Sequence, residues 1–146
     1  MRFIFAVLAA TFLAPVAAIA ISQPSPAKSE YLLSTGAGFG LEMGIGAYYG
    51  MIFAVHKSLP GTVYVIAAFD NPEAPESPLH AEIVVQADAD EIKLRSPVIH
   101  VIRNNTRYKV LLTLYTDSDH KNLLTKHSQE VLFSVSKQFV SQLAGQ

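Results

Sequence analysis

The chain has 146 residues, with 11 Lys and Arg against 12 Asp and Glu, and it contains neither cysteine nor tryptophan. A net charge of −1 without any basic run excludes the electrostatic footprint of a nucleic-acid-binding protein, so we predict no nucleic-acid partner. Without cysteine there is no disulfide, no thiol nucleophile and no lipid-modified cysteine, and the fold must be held by packing alone.

The first twenty residues have the three parts of a secretory signal peptide. Arg2 precedes an apolar run from Phe3 to Leu13, and Ala18-Ile19-Ala20 forms a small-residue cleavage site. The apolar run is too short to cross a bilayer, which needs about 20 residues. We therefore predict a cleavable signal peptide over 1–20, a mature chain with no stable membrane span, and a periplasmic or secreted location.

The remaining residues suffice for one domain with its own core. Residues 21–30 carry two prolines and three serines and predict a flexible leader, with the domain over 31–146. From Phe39 to Val55 the odd positions are apolar, while the even positions include four glycines and Glu42. This period of two predicts strands, and their combined length predicts a turn or bend near 44–46.

The same stretch supports a rival interpretation. Gly36, Gly40 and Gly44 are spaced by four, which resembles the small-residue pattern of packed membrane helices. A membrane-active protein that inserts residues 36–55 as a helix is therefore an alternative hypothesis. Interior glycines disfavour it, since each costs about 1 kcal/mol in a helix.

Further strands are predicted at regular intervals along the rest of the chain. They lie at 62–69, 80–86, 91–95, 98–102, 107–116 and 131–135, and a short amphipathic helix is an option over 136–143. Residues 62–69 are apolar on both faces, which predicts a central strand, and residues 71–79 hold three prolines and predict a loop. Seven or eight short strands separated by turns predict an all-β fold, a single antiparallel β-sandwich.

One segment resembles a known class of domain. Ile102 lies six residues before Tyr108, Thr106 lies two before it, and apolar residues alternate as far as Leu114. Segment 102–114 is similar to the corner between the fifth and sixth strands of fibronectin type III and immunoglobulin-like domains. The resemblance implies a tyrosine corner, with Tyr108 bonded to upstream backbone and Ile102 as an apolar plug. It implies no activity, because sandwich folds carry many functions.

No arrangement of residues marks a catalytic, cofactor or metal site. The five histidines have no ligand spacing, and the G-x-S-x-G and phosphate-loop motifs are absent. Met43, Met51 and His56 are soft ligand types, so copper is the metal to consider, although core methionines are commonplace. We predict no catalytic residue, no cofactor and no enzyme activity.

The leading hypothesis is an exported, non-enzymatic binding module whose partner is another protein or an envelope component. Its candidate interaction surfaces are the glycine-faced segment and the proline-rich loop 71–79, because exposed strand edges accept partner strands. The glycine-faced residues are Gly40, Glu42, Gly44, Gly46 and Gly50. Valine at Gly44 or Gly46 should then abolish binding with little effect on stability. A small-ligand or metal carrier, for sugar or copper, is the alternative.

Overall fold

Seven antiparallel strands form two sheets in the computed structural model, which describes residues 27–42 and 44–135. The strands are β1 (Leu32–Glu42), β2 (Gly46–Val55), β3 (Val63–Phe69), β4 (Leu79–Val85), β5 (Glu91–Arg95), β6 (Thr106–Tyr115) and β7 (Leu123–Phe133). One sheet has the order β1-β2-β5 and the other the order β4-β3-β6-β7. The predicted all-β sandwich is confirmed, and β3 is a central strand as its two apolar faces predict.

The glycine-rich stretch is a hairpin of two strands. β1 pairs with β2 from Leu32–Val55 to Glu42–Gly46, and the chain reverses at Gly44 and Ile45, where the sequence predicts a break. Alternation then places the odd residues of β2 in the core and the even ones on the outer face. The helical interpretation of 36–55 is wrong for the residues described. Nowhere in 27–42 and 44–135 is there a helix long and apolar enough to cross a membrane.

An aromatic cluster from both sheets fills one end of the core. The Phe39 ring lies 5.3 Å from that of Tyr49, 5.7 Å from that of Tyr108 and 4.9 Å from that of Phe133. The buried Tyr49 hydroxyl donates to the backbone oxygen of Asp70 at 2.6 Å, linking β2 to the end of β3. Burial raises the pKa of Tyr49 far above its usual range. The cluster therefore joins the two sheets by packing and by one partly buried hydrogen bond.

The start of β6 is anchored by its tyrosine. The Tyr108 hydroxyl accepts a hydrogen bond of 2.9 Å from the backbone N–H of Arg103, five residues upstream, and Ile102 packs against the core. This is the geometry that a tyrosine corner requires. It fixes the connection that carries the chain from one sheet to the other.

Polar side chains close the sandwich along the edge where β1 faces β7. His127 Nε2 lies 2.8 Å from Ser34 Oγ, and its Nδ1 lies 2.9 Å from Ser29 Oγ. The side-chain oxygen of Gln129 accepts from the N–H of Ala27. Residues 27–30, within the predicted leader, are thereby bonded to the domain, and Lys28 forms a bridge with Leu33.

Three local expectations differ from the structure or lie beyond it. Residues 98–102 form only an isolated bridge from Ile99 to Ala47, because Pro97 interrupts the ladder that β5 makes with β2. The last strand begins at Leu123, eight residues before its predicted start. The signal peptide, most of the leader and the C-terminal helix option at 136–143 lie outside the described residues.

Candidate interaction surface

The outer face of the four-stranded sheet carries an unusual number of apolar side chains. Because β3 is apolar on both faces, Tyr64, Ile66 and Ala68 project from the centre of the sheet away from the core. Where all four strands are paired, their register arranges this face in three transverse rows. The apolar row is Val84, Tyr64, Tyr115 and Leu123; the charged row is Glu82, Ile66, Thr113 and Lys126; the small row is His80, Ala68, Leu111 and Ser128.

The apolar row is the most exposed hydrophobic feature of this sheet. Its two end residues are more than half exposed, at 55% for Val84 and 54% for Leu123. The two tyrosines between them are half-buried, and the Tyr115 ring lies 5.0 Å from the ring of His120. Four strands at about 4.8 Å per strand span about 19 Å, and the row has one residue on each of them.

Two recesses adjoin this face. A shallow pocket of about 300 Å³ lies at the end of β3 and is lined by Pro60, Gly61, Thr62, Tyr64 and Thr116. A groove of about 450 Å³ separates the edge strands β4 and β5, with Ile83 and Leu94 among its apolar lining and Glu82 and Lys93 among its charged lining. The pocket adjoins the apolar row at Tyr64, and the groove meets the face at Glu82 of the charged row.

Glu82 and Lys126 are the charged members of the middle row. Both are exposed, and they lie at opposite ends of the row, on β4 and β7. Within the described part of the chain, neither side chain has a hydrogen bond or an ion pair. Within the three rows the centre is therefore apolar, with a negative charge on β4 and a positive charge on β7. Farther along β7, Glu130 is paired with Arg107.

The glycine-faced residues predicted as a surface have separate positions. Gly40 and Gly50 lie on the outer face of the three-stranded sheet, opposite Tyr48 and Gly38. The Tyr48 ring covers Gly40 so closely that a Cβ there would overlap it, and the Arg95 guanidinium lies 3.6 Å from the ring centroid. The tyrosine thus replaces the missing side chain of Gly40, as aromatic residues do over glycines on sheets.

The other three residues lie at the hairpin between β1 and β2. Gly44 is open to solvent with φ of 78°, and Gly46, with φ of 145°, packs against Ile99 and Val98. Glu42 ends β1, and its side chain lies outside what the structure describes. The structure brings Gly44 and Gly46 together in the turn and leaves Gly50 mid-strand.

The proline-rich loop is tied back to its neighbours. The Glu73 carboxylate accepts a hydrogen bond of 2.8 Å from the N–H of His100, and Asp70 accepts one of 2.7 Å from the N–H of Lys109. The Asn71 side chain donates to the backbone oxygen of Ser77 and accepts from the N–H of Glu73. Several of the polar groups that a partner would use are thus already engaged.

The buried His127 hydrogen-bonds two serine side chains, Ser34 at 2.8 Å and Ser29 at 2.9 Å. Ser34 and His127 are 3% and 2% exposed, and the Phe53 ring lies 5.1 Å from the imidazole. These contacts hold the β1–β7 edge together. No group of three or more His, Asp or Glu within 27–42 and 44–135 is arranged to hold a metal ion. Met51 is core, and Met43 is outside those ranges.

Burial of His127 predicts a pH-dependent stability. Desolvation lowers its pKa below the ordinary 6.5, so the unfolded chain binds this proton more readily than the folded one. Stability is then complete above about pH 6.5 and falls as the pH decreases from there toward the folded-state pKa. Urea unfolding at pH 7.5, 6.5 and 5.5 should show this decrease, and His127→Gln should flatten it. Parallel profiles for the two proteins would contradict the assignment to His127.

Comparison with known proteins adds no further constraint. No family model matches the chain, and no curated protein and no solved structure matches it. The apolar row was not identified from the sequence, because its members lie on four strands and only the register aligns them. The one sequence feature that indicated it was that β3 has apolar residues on both of its faces.

Proposed function

We propose that this chain is an exported, non-enzymatic β-sandwich protein that binds another protein in the cell envelope or outside the cell. The observation that carries the proposal is the row of Val84, Tyr64, Tyr115 and Leu123 across the outer face of the four-stranded sheet. Contiguous exposed apolar surface on a folded domain marks a site of interaction. Tyrosine suits such a site because it offers a large apolar ring and a polar tip.

We place the binding surface on the outer face of the four-stranded sheet and not on the glycine-faced segment. The glycine-faced segment was the first candidate, but Tyr48 and Arg95 cover part of it. The outer face of the four-stranded sheet has no such cover among the described residues, and Glu82 and Lys126 at its edges lack partners there. A polar rim around an apolar centre is the usual anatomy of a protein interface.

We propose export through the signal-like segment 1–20, which places the mature chain in the periplasm or the medium. We also propose a fold-level relationship to fibronectin type III and immunoglobulin-like domains. The two antiparallel sheets and the hydrogen bond from Arg103 to Tyr108 support that relationship.

Site-specific photocrosslinking tests the proposed surface. The chain offers matched positions, since Val84 and Leu123 lie on the apolar row while Ile45 and Val101 are similarly exposed elsewhere. A photoreactive phenylalanine analogue at each position, introduced in the exporting host, should give a crosslinked protein adduct from positions 84 and 123. Mass spectrometry of the adduct identifies the partner.

Positions 45 and 101 serve as controls with equal exposure. Adducts of equal yield from all four positions, or from the control positions alone, would refute the outer face of the four-stranded sheet as the binding surface. Because all four side chains are about half exposed, the analogue should fold equally well at each, and thermal unfolding of each variant verifies this.

A further inference from the structure

Each of the three rows on the outer face is complementary to the same row with its residues in the reverse order. Reading from β4 to β7, the apolar row begins with Val84 and ends with Leu123, and the charged row begins with Glu82 and ends with Lys126. We propose that the partner bound by this face is a second copy of the chain, in a two-fold symmetric dimer. This inference rests on the proposed function and specifies its partner.

The symmetry axis runs parallel to the strands, between β3 and β6 of both copies. A two-fold rotation about that axis places β4 of one copy over β7 of the other and β3 over β6. The apolar row then lies on the apolar row of the second copy, with Val84 opposite Leu123 and Tyr64 opposite Tyr115. Packed sheets cross at about 30°, which shifts the edge residues by only a few ångströms.

The same rotation pairs the remaining rows. Glu82 of each copy faces Lys126 of the other, so both charges that lack partners within the described chain gain one. In the small row, Ala68 faces Leu111 and His80 faces Ser128, an apolar pair and a hydrogen-bonding pair. Each row therefore meets the same row in reverse order, with Ile66 opposite Thr113 in the middle of the charged row.

Electrostatics select this axis over the other face-to-face arrangement. A two-fold axis across the strands, along the charged row, would place Glu82 over Glu82 and Lys126 over Lys126. Like charges in contact across an interface oppose association. The axis parallel to the strands replaces both repulsions with two ion pairs.

The size of the face fits a weak, reversible dimer. Four strands and the length of β3 define an area of about 20 Å by 20 Å, so two copies would bury on the order of 1,000 Å². Specific interfaces begin near 1,200 Å², and smaller ones belong to transient complexes. The expected dissociation constant is therefore in the micromolar range or weaker, and the dimer is dissociable on dilution.

Charge reversal provides the test. The processed chain, purified from an exporting host, is compared by sedimentation equilibrium with Glu82→Lys, Lys126→Glu and the double variant. Each single reversal creates two like-charge contacts and should raise the dissociation constant by about tenfold, less at high salt. The double reversal restores both pairs and should recover the dimer. Glu76→Lys, in the exposed proline-rich loop, is the matched control and should change nothing.

Mixing the two single variants gives the sharpest result. A Glu82→Lys copy and a Lys126→Glu copy form attractive pairs at both contacts, so the mixture should dimerise where each protein alone does not. A dimer insensitive to these reversals would overturn the geometry. A chain that remains monomeric at millimolar concentration would overturn the second copy as partner. Crosslinks from positions 84 and 123 to a different protein would then still uphold the proposed surface.

Discussion

Replacing Phe39 with alanine is expected to lower the free energy of unfolding by about 4 kcal/mol, the usual range for deleting a buried phenylalanine. Phe39 is 4% exposed, and its ring contacts aromatic rings from both sheets, those of Tyr49, Tyr108 and Phe133. Alanine removes these contacts and leaves a cavity that the surrounding rings, fixed on three different strands, fill only in part. Urea unfolding followed by tyrosine fluorescence measures the difference.

Ile45 provides the control for this substitution. It lies on the turn that follows β1, and its side chain is half exposed. Alanine there should change the unfolding free energy by no more than about 0.5 kcal/mol, the usual range at exposed positions. A loss of less than about 1 kcal/mol at Phe39 would show that β1 contributes little to joining the sheets, contrary to its position in the cluster.

The sequence predicted the strands whose inward residues are uniformly apolar. β3, β5 and β6 begin and end within about one residue of their predicted limits, because alternation reports burial wherever the core is apolar. The break near Gly44 followed from length, since a strand of seventeen residues exceeds what a small domain holds. The amino-acid pattern and the sheet geometry agree at these elements.

The first eight residues of β7 were not predicted, and the reason is physical. Its inward positions include His127 and Gln129, which are buried at 2% exposure each but polar. They lie at the edge where β1 faces β7. There Ser29, Ser34 and the backbone N–H of Ala27 form hydrogen bonds with them. A rule that expects every inward-facing residue to be apolar fails at such an edge, because buried polar groups are stable when they are hydrogen-bonded.

The apolar row shows a second limit of sequence reasoning. Tyr64 and Tyr115 are 51 positions apart in the chain, and each alone is an ordinary outward residue of a strand. Only the pairing of β3 with β6 places them side by side. Register depends on the whole sandwich, so a surface built across strands is not visible in any window of the sequence.

Alanine at Gly46 is expected to lower the free energy of unfolding by about 3 kcal/mol. Its φ of 145° is adopted almost only by glycine, which alone accounts for about 1–3 kcal/mol. A Cβ would also lie 2.7 Å from the backbone oxygen of Ile99, which accepts the hydrogen bond of Ala47 and cannot move freely. The geometry thus predicts that a side chain at Gly46 lowers stability, whereas the sequence predicted a loss of binding with stability unchanged. Chemical denaturation measures it.

Two other glycines calibrate that result. Gly44 has a positive φ but open surroundings, so alanine should cost about 1 kcal/mol. At Gly36 a Cβ would make ordinary contact with Ile52 at 3.6 Å, and alanine should change stability by less than about 0.5 kcal/mol. Equal, small effects at all three would argue that the hairpin adapts and that Gly46 is free for a partner. The expected ranking, with the largest effect at Gly46, means that packing requires glycine there. The start of β2 lies against residues 97–100, and a side chain at Gly46 would separate them.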